Sequence, residues 1–251
     1  MATRPPVVLI HGACSQPAHF AAWQAMFAEA GYDCRVPALP GHAPVARATL
    51  RSAGFSTYVT ALRTVVADLD RPPALVGHSM GALVARMVAA EHDVAGLVLL
   101  APLPGGRVPV TRAALPYFAM LAPFVALGQP FRPWRSAIRR LALSGLPEDE
   151  RDGIAAGFVP ESGRAYRDLV LGRAKVRRRP IRAPMLVLHG EDDRLIPPAV
   201  ARGIAGKHGA EERLLPGRGH WLLAPSLVPS VGRIARDWID GLARGDASQL
   251  R

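Results

Sequence analysis

The chain has 251 residues, 49% hydrophobic and 20% charged, which excludes a disordered or collagen-like protein and suits one domain, or one domain carrying an insertion. Its formal charge of +11 is local, because residues 102–183 hold 15 basic and 6 acidic side chains. No nucleic-acid motif accompanies that charge, so a nucleic-acid partner, suggested by the charge alone, is not expected.

The apolar stretch 113–127 is interrupted by Pro116 and Pro123 and falls short of the roughly 18–20 residues that span a bilayer. Near the N-terminus, Arg4 is followed by two prolines and a strand-like run, which is not the pattern of a secretory signal. Cys14 and Cys34 are expected to be free thiols, and the expected compartment is the cytoplasm. No Cys/His group has zinc-ligand spacing.

In chain order, residues 7–11 form a short, β-branched apolar run that reads as a buried strand closed by Gly12. A helix is expected over 17–30, ended by Gly31, and a strand over 32–38, closed by Pro40-Gly41. Val59, Leu62, Val66 and Leu69 recur at helical spacing within 56–69. Residues 74–77 read as a strand, 80–91 as a helix and 94–101 as a strand.

The alternation breaks at Pro102. Helices are expected over 113–127, 134–143, 147–157 and 163–176, the third with Glu148, Asp149 and Glu150 in its first turn, where acidic side chains suit the helix dipole. Alternation resumes with a strand at 185–189, a helix at 198–207, a strand at 212–215 and a helix at 228–242. Near-continuous apolar strands alternating with helices predict an α/β fold, with a mostly parallel sheet of about six strands covered on both faces. The core is assigned to 1–101 and 184–251, and the all-helical insertion to 102–183.

Gly77-His78-Ser79-Met80-Gly81 lies between a predicted strand and a predicted helix, the context of a nucleophile elbow. A serine hydroxyl there needs a base and a carboxylate that orients the base. His220, in the loop Gly217-Arg218-Gly219-His220 after the last strand, is placed to reach back over the strand ends. His11 and His189 each precede a glycine at a strand end and read as packing or loop-tying residues, and His42 as tying a surface turn. Glu191, Asp192 and Asp193 end the strand at 185–189, and any of the three reaches the same side of the sheet.

With these motifs in the order Ser79, acid, His220, the chain resembles the α/β-hydrolase family. That family's acid often stands in a Gly-x-x-Asp pattern with a proline four residues on, which Gly190, Asp193 and Pro197 match, so the resemblance implies Asp193 as the acid and Asp192 as runner-up. It also implies an oxyanion hole from the backbone N–H groups of Ala13 and Met80, and a helical cap in residues 102–183. On that resemblance, the first strand is expected to correspond to the family's third, with the family's leading hairpin absent from the core. A serine rather than an aspartate at the elbow implies acyl transfer instead of epoxide opening or dehalogenation.

The resemblance therefore implies a serine hydrolase acting on a small, fairly hydrophobic carboxylic ester, with no metal or other cofactor. A lactone or carbon–carbon bond hydrolase with the same triad is the alternative, and a ligand-binding receptor that retains the fold is the rival from outside the enzymes. Tyr117, Phe118, Leu121 and Trp221 are candidates for the substrate pocket, although the helix over 113–127 could instead only pack the cap onto the core. Arg132, Arg135, Arg139 and Arg140 are expected on one basic helical face, open either to plain solvation or to weak attraction by an anionic surface.

Overall fold

The computed structural model describes residues 4–176 and 180–244. Its strands are β1 (Val7–Ile10), β2 (Cys34–Arg35), β3 (Ala74–His78), β4 (Gly96–Leu100), β5 (Met185–Gly190) and β6 (Glu211–Leu215). They form one six-stranded sheet in the order β2-β1-β3-β4-β5-β6, and every pairing is parallel.

Both faces of this sheet are covered, and successive side chains along a strand serve opposite layers. Val7 and Leu9 pack on one face with Phe20, Trp23, Phe27, Trp238 and Ile239, most of them on α1 (Ala21–Glu29) and α9 (Arg233–Arg244). Val8 and Ile10 pack on the other, against Tyr58 and Leu62 of α2 (Phe55–Ala67) and Leu83 and Val84 of α3 (Met80–Ala89). This two-sided burial is why the strands read as unbroken apolar runs rather than as alternating ones.

The described residues of 102–183 contribute no strand to the sheet and contain α4 (Leu115–Leu127), α5 (Arg135–Ala137), α6 (Glu148–Ala156) and α7 (Gly163–Val170). A π turn, Ile138–Ala142, continues α5. After β5 follow α8 (Ala199–His208), β6 and α9.

Several elements differ from expectation. The strand expected over 32–38 shrinks to β2, because it is an edge strand and Pro37 has no N–H to extend a ladder. The expected helix over 17–30 begins as a 3₁₀ turn, Pro17–Phe20, before α1. The helix expected over 163–176 stops at Val170, and Gly172 follows with φ +64°.

Of the four arginines expected on one basic helical face, Arg140 is exposed and the other three each have a partner. Arg132 precedes α5 and donates to the Phe158 carbonyl at 2.8 Å. Arg135 pairs with Asp152 at 3.1 Å, and Arg139 pairs with both Asp152 and Glu148. Three further arginines of the basic stretch, at 177–179, lie outside the described residues. Among the described residues both cysteines are free, and no helix is long and apolar enough to cross a membrane.

Candidate active site

Ser79 sits between the last residue of β3 and the first of α3, with φ 52° and ψ −115°. A non-glycine residue in that region costs roughly 1–3 kcal/mol, so the surroundings must hold it there. Ser79 N–H donates to the Leu100 carbonyl at 2.9 Å, and its own carbonyl accepts from Ala82 N–H at 3.1 Å.

The two flanking glycines make the turn sterically possible. A Cβ on Gly77 would lie 2.6 Å from Ala82 Cα, and one on Gly81 would lie 2.2 Å from the Ile10 carbonyl oxygen. α3 therefore starts directly against the end of β1. Its first residue, Met80, is fully buried, and the N–H of a first helical residue has no acceptor within its own helix.

The loop after β6 carries His220 across the strand ends. His220 Nε2 is 2.9 Å from Ser79 Oγ, and His220 Nδ1 is 2.7 Å from Asp193 Oδ2. The other oxygen of Asp193 accepts the N–H groups of Leu195 at 2.7 Å and Ile196 at 2.9 Å. His189 Nε2 lies 3.1 Å from the Ile196 carbonyl and 3.2 Å from Asp193 Oδ2. Burial by itself raises the Asp193 carboxyl, but His220 and His189 outweigh it and hold the group below the usual carboxylate range. Glu191 and Asp192, the other acids of this turn, are exposed.

His78, adjacent to Ser79, packs against the His220 loop. Its Nε2 lies 3.0 Å from the His220 carbonyl oxygen, and its ring is 5.2 Å from the His220 ring. Burial first, and then the neighbouring His220, lower His78 to about 3, so it is neutral at any working pH. His11 is likewise lowered to about 3, mainly by burial, and its Nε2 accepts Leu39 N–H at 3.1 Å.

Two cavities meet at Ser79 and His220. One of about 520 Å³ runs beneath α4 and α7, lined by Phe118, Leu121, Val125, Tyr166 and Leu169 among others, with Arg107 and Arg167 as its cationic residues. The other, of about 120 Å³, is lined by Tyr117, Ile138, Leu141, Phe158 and Trp221. Ala13, Phe118 and Leu121 border both. Of the four candidate pocket residues, Phe118 and Leu121 thus face both spaces, and Tyr117 and Trp221 face the smaller. Trp221 also packs against His19, His78 and Phe158 with ring centroids about 5 Å apart, so it walls the cavity and anchors the His220 loop together.

His42 departs from its expected place in a surface turn. It is buried, and its Nε2 is 3.1 Å from Glu161 of the insertion, which is also buried. Nothing local in the sequence marks this pairing, and Glu161 also accepts the N–H of Cys14, next to Ala13. Among the described residues, no group of three or more His, Cys, Asp or Glu side chains is arranged to hold a metal ion.

Residues 7–228 match the model of the alpha/beta hydrolase family. A pyrethroid hydrolase of Sphingobium wenxiniae is 28% identical over 156 residues, 61% of this chain and 50% of the relative, so the match spans about half the relative's length. Among solved structures, a pyrethroid hydrolase from Sphingobium faniae superposes with a TM-score of 0.74 at 21% identity, covering 96% of this chain and 100% of that one. A soluble variant of monoglyceride lipase from Saccharomyces cerevisiae, in complex with a substrate analogue, gives 0.74 at 16% identity over 96% and 87%.

Proposed function

The chain belongs to the alpha/beta hydrolase family, and from that premise we propose that it is a serine hydrolase cleaving a hydrophobic carboxylic ester. The observation that carries this reading is the unbroken chain from Ser79 Oγ to His220 Nε2 at 2.9 Å and from His220 Nδ1 to Asp193 at 2.7 Å, at the mouth of an apolar cavity. The names of its relatives, pyrethroid hydrolase and monoglyceride lipase, support hydrolysis as the reaction class.

Asp193 holds the Nδ1–H tautomer of His220, leaving the Nε2 lone pair aimed at the serine hydroxyl. As Oγ attacks the ester carbonyl, Nε2 takes its proton. The carbonyl oxygen becomes an oxyanion, received by the N–H groups of Ala13 and Met80, the latter at the positive end of α3. Collapse expels the alcohol, which takes the proton from His220, and leaves an ester on Ser79. Water activated by His220 then releases the carboxylic acid.

The unequal cavities suit an ester with one extended apolar group in the larger space and a compact one in the smaller. Each methylene buried contributes about 0.8 kcal/mol, roughly fourfold in kcat/KM. Nitrophenyl esters of graded chain length should therefore gain by up to that factor per carbon until the larger cavity is filled. Ser79→Ala should lower kcat by about 10⁴–10⁶ and abolish covalent labelling by a fluorophosphonate. Labelling that persists in Ser79→Ala places the nucleophile elsewhere and ends this reading.

A further inference from the structure

Glu161 lies in the insertion, fully buried, and faces four hydrogen-bond donors. Its Oε2 accepts Cys14 N–H at 3.0 Å and His42 Nε2–H at 3.1 Å. Its Oε1 accepts the Tyr58 hydroxyl at 2.6 Å and Ser162 N–H at 2.8 Å. Cys14 directly follows Ala13 and has φ 57°, a conformation its own side chain disfavours. The insertion holds it from both sides, because the Cys14 carbonyl accepts Val159 N–H at 2.8 Å. Gln16, two residues further, reaches the Gly157 carbonyl at 2.7 Å. The turn that presents Ala13 is thus built against the insertion rather than within the core.

We propose that the buried Glu161–His42 pair is a positioning device, through which the insertion fixes the Cys14 backbone and so aims the Ala13 N–H at the oxyanion. This rests on the hydrolase reading given above. Only a carboxylate satisfies the site, since all four neighbours donate. In an amide, the NH₂ must face either Cys14 N–H or Ser162 N–H, and neither backbone donor can turn into an acceptor. Burial on its own raises the Glu161 carboxyl and lowers His42, but the charge and hydrogen bond between them reverse both shifts, keeping Glu161 ionised. The pair therefore costs the fold a buried charge, and the strained residue it holds is the neighbour of the oxyanion donor.

The test uses the full chain with p-nitrophenyl butyrate, active sites counted by fluorophosphonate titration, and a trifluoromethyl ketone whose adduct with Ser79 carries the oxyanion. Loss of one oxyanion donor typically costs about 10²–10³ in rate, so misaiming one in Glu161→Gln should lower kcat per titrated site about 10–100-fold. KM should stay within about twofold, and ketone affinity should fall in parallel with kcat. His42→Gln, which keeps a donor to Glu161 but not the charge, should show the same pattern more weakly, about 3–10-fold. Phe27→Leu is the control for lost stability alone. Phe27 is buried on α1, near the start of β1 and away from the Ser79 end of the sheet, and its loss should lower Tm while sparing kcat per site. If either pair variant folds, takes the label and keeps wild-type kcat and ketone affinity, the inference is overturned. A wild type that takes no label overturns the hydrolase reading beneath it instead.

Discussion

Asp193→Asn separates a catalytic carboxylate from a merely structural one, and the structure sets the expected size of the effect. The amide oxygen of the variant would still accept Leu195 and Ile196 N–H, which Asp193 receives at 2.7 and 2.9 Å, so the loop keeps its shape. The NH₂ group would then face His220 Nδ1, which stands 2.7 Å from Asp193 Oδ2. A donor there selects the wrong tautomer, with Nδ1 bare and the proton on Nε2, pointing at Ser79 Oγ. The serine loses its base. His189 would still donate to the Ile196 carbonyl at 3.1 Å, so that tie within the loop is kept. The same substitution in a serine-protease triad costs about 10⁴ in kcat, equivalent to about 5.4 kcal/mol in the barrier, and the same magnitude is expected here. Steady-state kinetics on titrated enzyme, with Asp192→Asn as comparison, reads it, and Asp192→Asn should stay within about twofold because that side chain is exposed. Equal small losses in both variants would refute the reasoning and place the orienting acid elsewhere.

Gly81→Ala would put a methyl 2.2 Å from the Ile10 carbonyl oxygen at the end of β1 and 2.5 Å from that of His11, so α3 must back away from the sheet, at a cost of about 1–3 kcal/mol. Urea denaturation checks this, and a loss below about 1 kcal/mol would contradict the close approach. Stability should also fall at both ends of the pH range. Asp193 and Glu161 are depressed, so their contribution is present above about pH 4 and is lost as pH falls through their native values. His42 is raised, so its contribution is complete below about pH 6.5 and is lost as pH rises through its native value. Tm profiles from pH 3 to 9 should show the alkaline decline flattened in His42→Gln, and a decline parallel to wild type would remove His42 as its source.

The sheet and the hydrogen-bonded trio of Ser79, His220 and Asp193 were legible because each depends on a short, contiguous pattern. Val7–Ile10 and Gly96–Leu100 read as strands because they are buried on both faces. Ser79 stood out because only glycine fits at positions 77 and 81 of so tight a turn. His220 was found by where it falls after β6, and Asp193 was chosen from the three acids after β5 by the resemblance to the family's Gly-x-x-Asp pattern; the parallel sheet brings both turns to one edge. β2 was overestimated because apolar content says nothing of how far an edge ladder extends past Pro37.

The layer around Ala13 was not legible at all. Glu161 is 147 residues from Cys14, 119 from His42 and 103 from Tyr58, and a lone glutamate between Pro160 and Ser162 has no periodicity or motif to mark it. His42 read as a turn residue because its neighbours Pro40 and Gly41 are turn formers, yet the insertion folds over that turn and buries it. The arginines of the insertion read as one cationic face, while their partners Asp152 and Glu148 come from the next helix. The sequence by itself determined what local sterics and apolar periodicity control, namely the sheet, the tight turn at Ser79 and the order of Ser79, Asp193 and His220 along the chain. Only the tertiary structure decided which buried charges meet, because a carboxylate is satisfied by whatever donors the fold carries to it, however distant they are along the chain.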